Sequence, residues 1–275
     1  MKATVIITTY NRSEALRLVL ASYLQQRNIA PDCWEIIVAD DGSTAETAKL
    51  VSEFQARSPI PITHIWQEDA GFQAAKIRNK AVAAARGAYL IFTDGDCMAP
   101  PHFVVRHLSL ARRGYLVPGN RILISKEYTA EIEANHDIGL SQKSPWALRV
   151  DYQKGHVNRV HAAWYLPFYP RYLQPQRWRG AKTCNLGVWR EDFIAVNGFD
   201  ETFQGWGFED SDLVVRLFHH GIKRKDGRFA SYVFHLWHAE NDRSQHDQNW
   251  QRFQKRIHQN ITEATLGIQQ YKMLD

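Results

Sequence analysis

A chain of 275 residues, 44% of them hydrophobic, can bury a sizeable core without covalent staples. Its three cysteines, Cys33, Cys97 and Cys184, are odd in number, far apart and in no CxxC pair, which argues against a disulfide framework or a cysteine zinc site and points to a reducing cytoplasm. The 34 Lys and Arg against 29 Asp and Glu leave a net charge of +5, a mild excess that suits phosphorylated ligands or an anionic membrane face and does not demand nucleic acid.

The opening MKATVIITTYNR has a short apolar run that ends at Thr8 and Thr9 and lacks a small-residue cleavage site. A buried strand over 3–9 is expected there, not a signal peptide. No stretch approaches the roughly 18–20 uninterrupted apolar residues of a membrane-crossing helix. Leu16, Val19, Leu20, Tyr23 and Leu24 fall on one helical face. A second strand is expected over 35–40, and Ser43 with Glu46 three positions later predicts a capping box for the helix that carries Leu50, Val51 and Phe54. A third strand over 62–66, an alanine-rich helix over 73–86 closed by Gly87, and a fourth strand over 88–93 complete the pattern. Such alternation predicts an α/β fold: a Rossmann-like, mostly parallel central sheet flanked by helices, with ligands beyond the carboxyl ends of the strands.

The polar residues that follow those strands are Thr8, Thr9, Tyr10, Asn11 and Arg12, then Asp40, Asp41, Gly42 and Ser43, then Asp94, Gly95 and Asp96. Four aspartates at one rim repel one another unless a cation or hydrogen-bond donors offset them, and a bound divalent ion is the simpler answer. Asp40 reads as a turn-fixing or helix-capping residue. Between Lys126 and Arg179 the alternation stops, and aromatics mix with bases, among them Trp146, Arg149, Trp164, Tyr165, Phe168, Arg171, Tyr172, Arg177 and Arg179. Pro145, Pro167, Pro170 and Pro175 predict irregular loops there. The segment reads either as a binding region suited to a phosphorylated glycolipid at a membrane interface or as a mobile lid with packing aromatics. From Ser244 onward a mostly helical, polar and basic stretch is expected to pack back through Trp250, Phe253, Ile257 and Ile261.

With TTYNR at 8–12, DDGS at 40–43 and TDGDCMAP at 93–100, the chain resembles the family 2 glycosyltransferases, whose fold is GT-A, the nucleotide-diphospho-sugar transferase fold. CNLGVWREDFIAVNGFDETFQGWGFEDSDL at 184–213 and VFHLWH at 233–238 look like the acceptor-side motifs of galactosyltransferase-type enzymes. A lone DxD occurs by chance, whereas this ordered series covers nearly the whole chain. The resemblance implies a single catalytic domain over 1–275, with a nucleotide-sugar half at 1–100, an acceptor and catalytic half at 101–243, and a C-terminal helical segment at 244–275.

What the resemblance implies for the site is specific. Asp94 would hold the ribose and Asp96 the metal that bridges the diphosphate, Mn²⁺ or Mg²⁺ being suited to hard oxygen ligands. Asp41 would recognise the uracil of a UDP-sugar, with Thr8 and Tyr10 as the pocket wall and Arg12 beside them. Arg78 would face the nucleotide, while Lys76 and Lys80 read as the solvated face of their helix. His238 would be a further metal ligand, which favours Mn²⁺, and the role of His235 stays open. In GWGFEDSDL, Asp210 is the implied general base of an inverting displacement onto a hydroxyl of a glycan or glycolipid. Trp206, Gly207 and Glu209 are placed at the acceptor, although Trp206 could be ordinary core and Glu209 could instead orient Asp210. Asp212 reads as a first-turn acid that complements the helix dipole.

By analogy the donor sugar is a hexose or N-acetylhexosamine and the product a bacterial surface polysaccharide or lipopolysaccharide. The enzyme would be cytoplasmic, in peripheral contact with the membrane surface. A catalytically silent sugar-nucleotide-binding module would have no reason to keep Asp210. A nucleotidyltransferase would want a glycine-rich phosphate loop after the first strand, which TTYNR lacks. A nucleic-acid binder leaves the acidic rim unexplained, so no nucleic-acid partner is expected.

Overall fold

The computed structural model describes residues 1–239 and 242–273. The first half follows the hydrophobic spacing: β1 (Ala3–Thr9), α1 (Ser13–Tyr23), β2 (Trp34–Asp40), α2 (Ala45–Arg57), β3 (Ile62–Trp66), α3 (Ala74–Ala83) and β4 (Tyr89–Asp94). Every residue of β2 is buried, as in a strand covered on both faces. Alternate side chains of a strand point to opposite faces, so β1 serves two cores. Val5 and Ile7 pack with Ile36 and Val38 under α1 and α2, whereas Ile6 packs with Ile37 and Ala39 against α3.

The chain continues through β5 (Cys97–Met98), α4 (Phe103–Leu110), β6 (Tyr115–Pro118), β7 (Asn120–Leu123), α5 (Lys126–Ala134), α6 (Gly139–Gln142) and α7 (Leu148–Gln153). After an irregular stretch come β8 (Asn185–Trp189), α8 (Arg190–Ala195), α9 (Glu209–His219), β9 (Lys223–Arg224), β10 (Tyr232–His235) and α10 (His246–His258). Seven strands form one sheet in the order β3-β2-β1-β4-β8-β6-β9, and β5-β10-β7 form a second. The β3-β2-β1-β4 portion is parallel, and β8 runs antiparallel between β4 and β6. Two registers set up the site. Thr93 lies opposite Asn185, which brings the residues just before β8 to the rim where β4 ends. His235 lies opposite Cys97, which brings the end of β10 beside Asp96.

Four expectations are corrected. Thr44, not Ser43, precedes α2, and no capping box forms. Ser43 Oγ accepts the Asn11 N–H at 2.8 Å and Glu46 accepts Ser13 Oγ–H at 2.6 Å, so both side chains tie α2 to the loop after β1 instead of to each other. Gly87 does not cap α3, which ends at Ala83. A Cβ at Gly87 would meet Ala3 C and Thr4 N at 2.4 Å, so the glycine serves close approach to β1. The segment after Ser244 is α-helical only over α10, because Asn260 turns left-handed (φ 49°), and Ile261 falls beyond the helix; a single 3-10 turn follows at Ile268–Gln270, and residues 274 and 275 lie outside the described residues.

The fourth correction is Asp212, which is 0% exposed and not a solvated acid at a helix start. It accepts Arg216 Nε–H at 2.7 Å and lies 3.2 Å from Arg256 Nε, while Arg256 also pairs with buried Asp200. This network ties α9 to α10. Removing one partner of a buried pair leaves an uncompensated charge, at a cost of about 3–5 kcal/mol. Asp212→Ala should therefore lower the unfolding free energy by about that much in urea titrations, and a loss of less than about 1 kcal/mol would contradict the network's structural role.

Candidate active site

A cavity of about 530 Å³ opens beyond the carboxyl ends of β1, β2 and β4 and is walled on its far side by the start of α9. Every residue that the sequence nominates lines it: Thr8, Tyr10, Arg12, Asp41, Arg78, Asp94, Asp96, Trp206, Gly207, Glu209, Asp210 and His238. The rim is tied together by backbone, with Asp41 N–H donating to Thr9 O (2.9 Å) and Gly95 N–H to Thr8 O (2.7 Å). A Cβ on Gly95 would stand 2.9 Å from the Thr9 side chain, so glycine lets the Asp94–Asp96 turn close onto β1.

On the β2 side, Asp40 is structural: its Oδ1 accepts the Ser43 N–H at 2.8 Å and its Oδ2 meets His64 Nε2 at 2.9 Å. Asp41 turns into the cavity, accepting from Gln67 Nε2 (2.6 Å) and from the Gln73 N–H (2.8 Å). Burial nevertheless pushes its pKa up to about 6. Tyr10 is 47% exposed and donates to Asp69 at 2.8 Å. Lys76 and Lys80 do not line the cavity.

Arg78 reaches in from α3. Its Nε donates to Thr8 Oγ1 (3.0 Å), one terminal nitrogen to Glu209 (3.2 Å) and the other to Asp94 (3.3 Å). Burial works against the guanidinium's charge, but Asp94 and Glu209 outweigh it and hold the pKa above the usual arginine range. Burial likewise pushes Asp94 up to about 6, with Arg78 opposing and Asp96 adding to the rise. Glu209 shifts upward for the same first reason and because Asp210 adjoins it.

At the far end of β4, Asp96 accepts from Arg12 at 2.9 Å, and Arg12 also reaches Glu133 (3.3 Å) and the Trp237 carbonyl (3.2 Å). Arg12 is thus the counter-ion of Asp96 as well as a wall residue. The Nε2 atoms of His235 and His238 each lie 3.6 Å from an Asp96 carboxylate oxygen, and donor atoms of the three residues fall within 4.8 Å of one another. His238 Nδ1 is 2.7 Å from the Ala239 carbonyl, a contact that a proton on Nδ1 satisfies, which leaves Nε2 as the ring nitrogen turned toward Asp96. A carboxylate with two imidazoles is a fitting donor set for a divalent transition ion. His235 joins it only because β10 pairs with β5, a register that spacing does not announce.

The α9 side is shaped by backbone. Gly205 (φ 71°), Gly207 (φ 116°) and Phe208 (φ 70°) adopt left-handed conformations in quick succession, turning the chain so that α9 starts with Glu209 and Asp210 facing inward. Trp206 lines the cavity and stacks on His246 at 6.2 Å, so it belongs to the site wall and not to the core. Asp210 accepts from Ser211 Oγ–H (3.2 Å) and from Lys182 Nζ (3.2 Å). Lys182 is the principal residue that sequence reasoning missed. It precedes β8, and only an antiparallel β8 puts a pre-strand residue at this rim. Burial opposes its charge, but Asp210 raises its pKa.

The chain's family is shown by comparison. Residues 4–169 match the model for glycosyl transferase family 2, and residues 169–239 match one described as the N-terminal domain of galactosyltransferase. The chain belongs to glycosyltransferase family 2, and it carries the GT-A fold. It is 31% identical over 241 residues to validoxylamine A glucosyltransferase of Streptomyces hygroscopicus subsp. limoneus, a match that takes in 80% of this chain and 48% of that one. The chain spans about half the length of that relative and of its counterpart from subsp. jinggangensis. Among solved structures, S. aureus TarS 1–349 in complex with UDP-GlcNAc superposes with a TM-score of 0.63 at 14% identity, covering 98% of this chain and 69% of that one. The mannosyltransferase PcManGT of Pyrobaculum calidifontis, in complex with GDP-Man and Mn²⁺, gives 0.55 at 19% identity, covering 92% and 60%. At these identities the likeness is one of fold.

Raised carboxyl pKa values carry a signed consequence. Asp41 binds its proton more tightly folded than unfolded, so its contribution to stability is fully present below pH 3.8 and is lost as pH rises to about 6. In protein free of metal and nucleotide, the wild type should lose up to about 3 kcal/mol relative to Asp41→Asn across that window. Urea titrations of both proteins over the same pH series check this; a pH-independent difference would mean that Asp41 ionises in the fold as it does in water.

Proposed function

We propose that this chain is a metal-dependent, inverting glycosyltransferase that moves a hexose or N-acetylhexosamine from a UDP-sugar to a hydroxyl of a glycan or glycolipid. The observation that carries the proposal is the placement of Asp210 and of the Asp96–His235–His238 cluster in one cavity, with Arg78 and Asp94 between them. A silent binding module would need neither the inward-turned Asp210 nor its lysine partner. The UDP-GlcNAc and GDP-Man complexes of the two structural neighbours support a nucleotide-sugar donor, and the name of the validoxylamine relative supports a hexosyl group.

In this reading Asp41 accepts the uracil imino proton, Thr8 and Tyr10 flank the base, and Asp94, steadied by Arg78, holds the ribose. Asp96 and His238, with His235 beside them, would hold Mn²⁺ or Mg²⁺, and the imidazoles favour Mn²⁺. When bound, the ion supplies positive charge to the diphosphate leaving group. Trp206, Gly207 and Glu209 form the acceptor side. Asp210 takes the acceptor hydroxyl's proton while that oxygen bonds to the anomeric carbon, and the bond to the departing UDP breaks with its electron pair staying on the phosphate oxygen. Attack opposite the leaving group inverts the anomeric centre, and general-base help of this kind contributes roughly 10²- to 10⁴-fold. Lys182 positions the base. The reaction belongs in the cytoplasm, at its membrane face where the acceptor is a glycolipid of surface polysaccharide or lipopolysaccharide synthesis.

Calorimetric titration of UDP, GDP and CMP with and without Mn²⁺ tests the donor half, where preferential and metal-dependent binding of UDP is expected. Absence of UDP binding under every condition would remove the uridine pocket. Asp210→Asn should abolish transfer, a loss of at least about 10²-fold, with UDP affinity intact. Asp96→Ala should weaken UDP binding only when metal is present. Turnover surviving in Asp210→Asn would sink the assigned base.

A further inference from the structure

The irregular stretch between α7 and β8 carries a surface that the nucleotide cavity does not use. Phe168 is 98% exposed and Leu173 76%, with Leu166, Tyr165 and Tyr172 also open to solvent. These side chains do not stand outward for want of structure. Buried Arg171 braces the loop from beneath, donating to the carbonyls of Leu166 (3.0 Å), Asp226 (2.9 Å) and Arg228 (2.7 Å), and the Leu166 N–H bonds to Phe229 O at 2.9 Å. A rigid support thus holds two large apolar tips in water, where each forfeits the gain of burial.

Cations lie against the tyrosines of the same loop. Arg106 lies 3.3 Å from the centre of the Tyr165 ring, Arg112 donates to Tyr172 Oη at 3.2 Å, and Arg228 sits 5.5 Å from the Tyr169 ring. Exposed Arg177 and Arg179 follow in the chain. From 152 to 190 there are seven Lys and Arg and no Asp or Glu. The carboxylate that meets this loop, Asp226, is buried and bonded to Arg228 (2.7 Å). Apolar tips, amphipathic tyrosines and guanidiniums of which Arg106, Arg112, Arg177 and Arg179 meet no carboxylate among the described residues match the acyl boundary, the headgroup level and the phosphates of an anionic bilayer. A protein partner would more naturally meet a flat apolar core with a rim of mixed charge.

We propose that this loop, 165–173, docks the protein on an anionic membrane surface, with Phe168 and Leu173 entering the bilayer interface and the surrounding arginines holding lipid phosphates. The contact goes beyond the transfer reaction and does not depend on the donor chemistry.

Co-sedimentation of the full chain with vesicles of phosphatidylcholine, alone or mixed with phosphatidylglycerol, tests it. Partitioning to the anionic vesicles should exceed that to neutral ones by about tenfold or more and should fall steeply with added salt. Phe168→Ser/Leu173→Ser and Arg177→Gln/Arg179→Gln should each weaken it by about tenfold, with unchanged melting temperature showing that the fold is kept. Failure of the wild type to bind anionic vesicles at low salt would overturn the proposal, as would equal binding by the serine variant. A serine variant that changes only self-association would assign the face to a second copy of the chain and overturn it too. Because UDP titration is read separately, loss of vesicle binding is distinguishable from failure of the nucleotide site.

Discussion

Five carboxylates, Asp41, Asp94, Asp96, Glu209 and Asp210, share one cavity; amide donors hold Asp41, and cations are threaded between the other four. Arg78 is central to that arrangement. It rises from α3, is buried, and divides its donors among β1 (Thr8), the end of β4 (Asp94) and the start of α9 (Glu209). A guanidinium suits the task because its donors are fixed in one plane and it cannot shed its charge on burial. Arg12 does the same for Asp96, and Lys182 for Asp210. The three pairs are graded in exposure: the Arg78 side chain is 5% exposed, that of Arg12 30% and that of Lys182 47%. The most buried cation serves Asp94 and Glu209, and the two more open ones serve Asp96 and Asp210.

Much of this could be read in the chain because the fold obeys simple periodicities up to Asp94. The continuous apolar runs of β1 and β2, buried on both faces, and the helical stripe of α1 leave little choice but a parallel sheet, and the rim follows from the direction of its strands. The misses share one physical cause, which is long-range pairing. Looking after each strand for polar residues works only while strands are parallel. β8 reverses direction, so its approach segment, with Lys182, reaches the rim instead of its exit. His235 depends on a two-residue pairing between β10 and β5. Ser43 and Glu46 had the spacing of a local cap, but Asn11 and Ser13 offered tertiary partners that won them.

Asp212 shows the same limit from the other side. Its place in EDSDL is that of an exposed first-turn acid, and although Arg216 stands four residues on, nothing local announces that Arg256 of α10 will close over the pair and bury it. The consequence reaches the chemistry. Glu209 and Asp210 face the cavity and Asp212 faces inward to the arginines, so one turn of α9 has its cavity-lining carboxylates on one side and its anchor on the other.

That anchor explains how the turn before α9 is sustained. A non-glycine residue in the left-handed region costs about 1–2 kcal/mol, and Phe208 holds that conformation at the point where the helix begins. Its ring stacks on Phe253 (5.4 Å) and lies against Trp250 (5.1 Å), while Trp206 lies over His246, all three partners being residues of α10. Arg256, from the same helix, closes on Asp212 and Asp200. Burial of two aromatic residues and a charged pair offsets a strain of that size. The polar C-terminal helix is therefore not an appendage: it holds the strained turn that aims Asp210 into the cavity, so the direction of the proposed base is set from outside the sheet that carries Asp41 and Asp94.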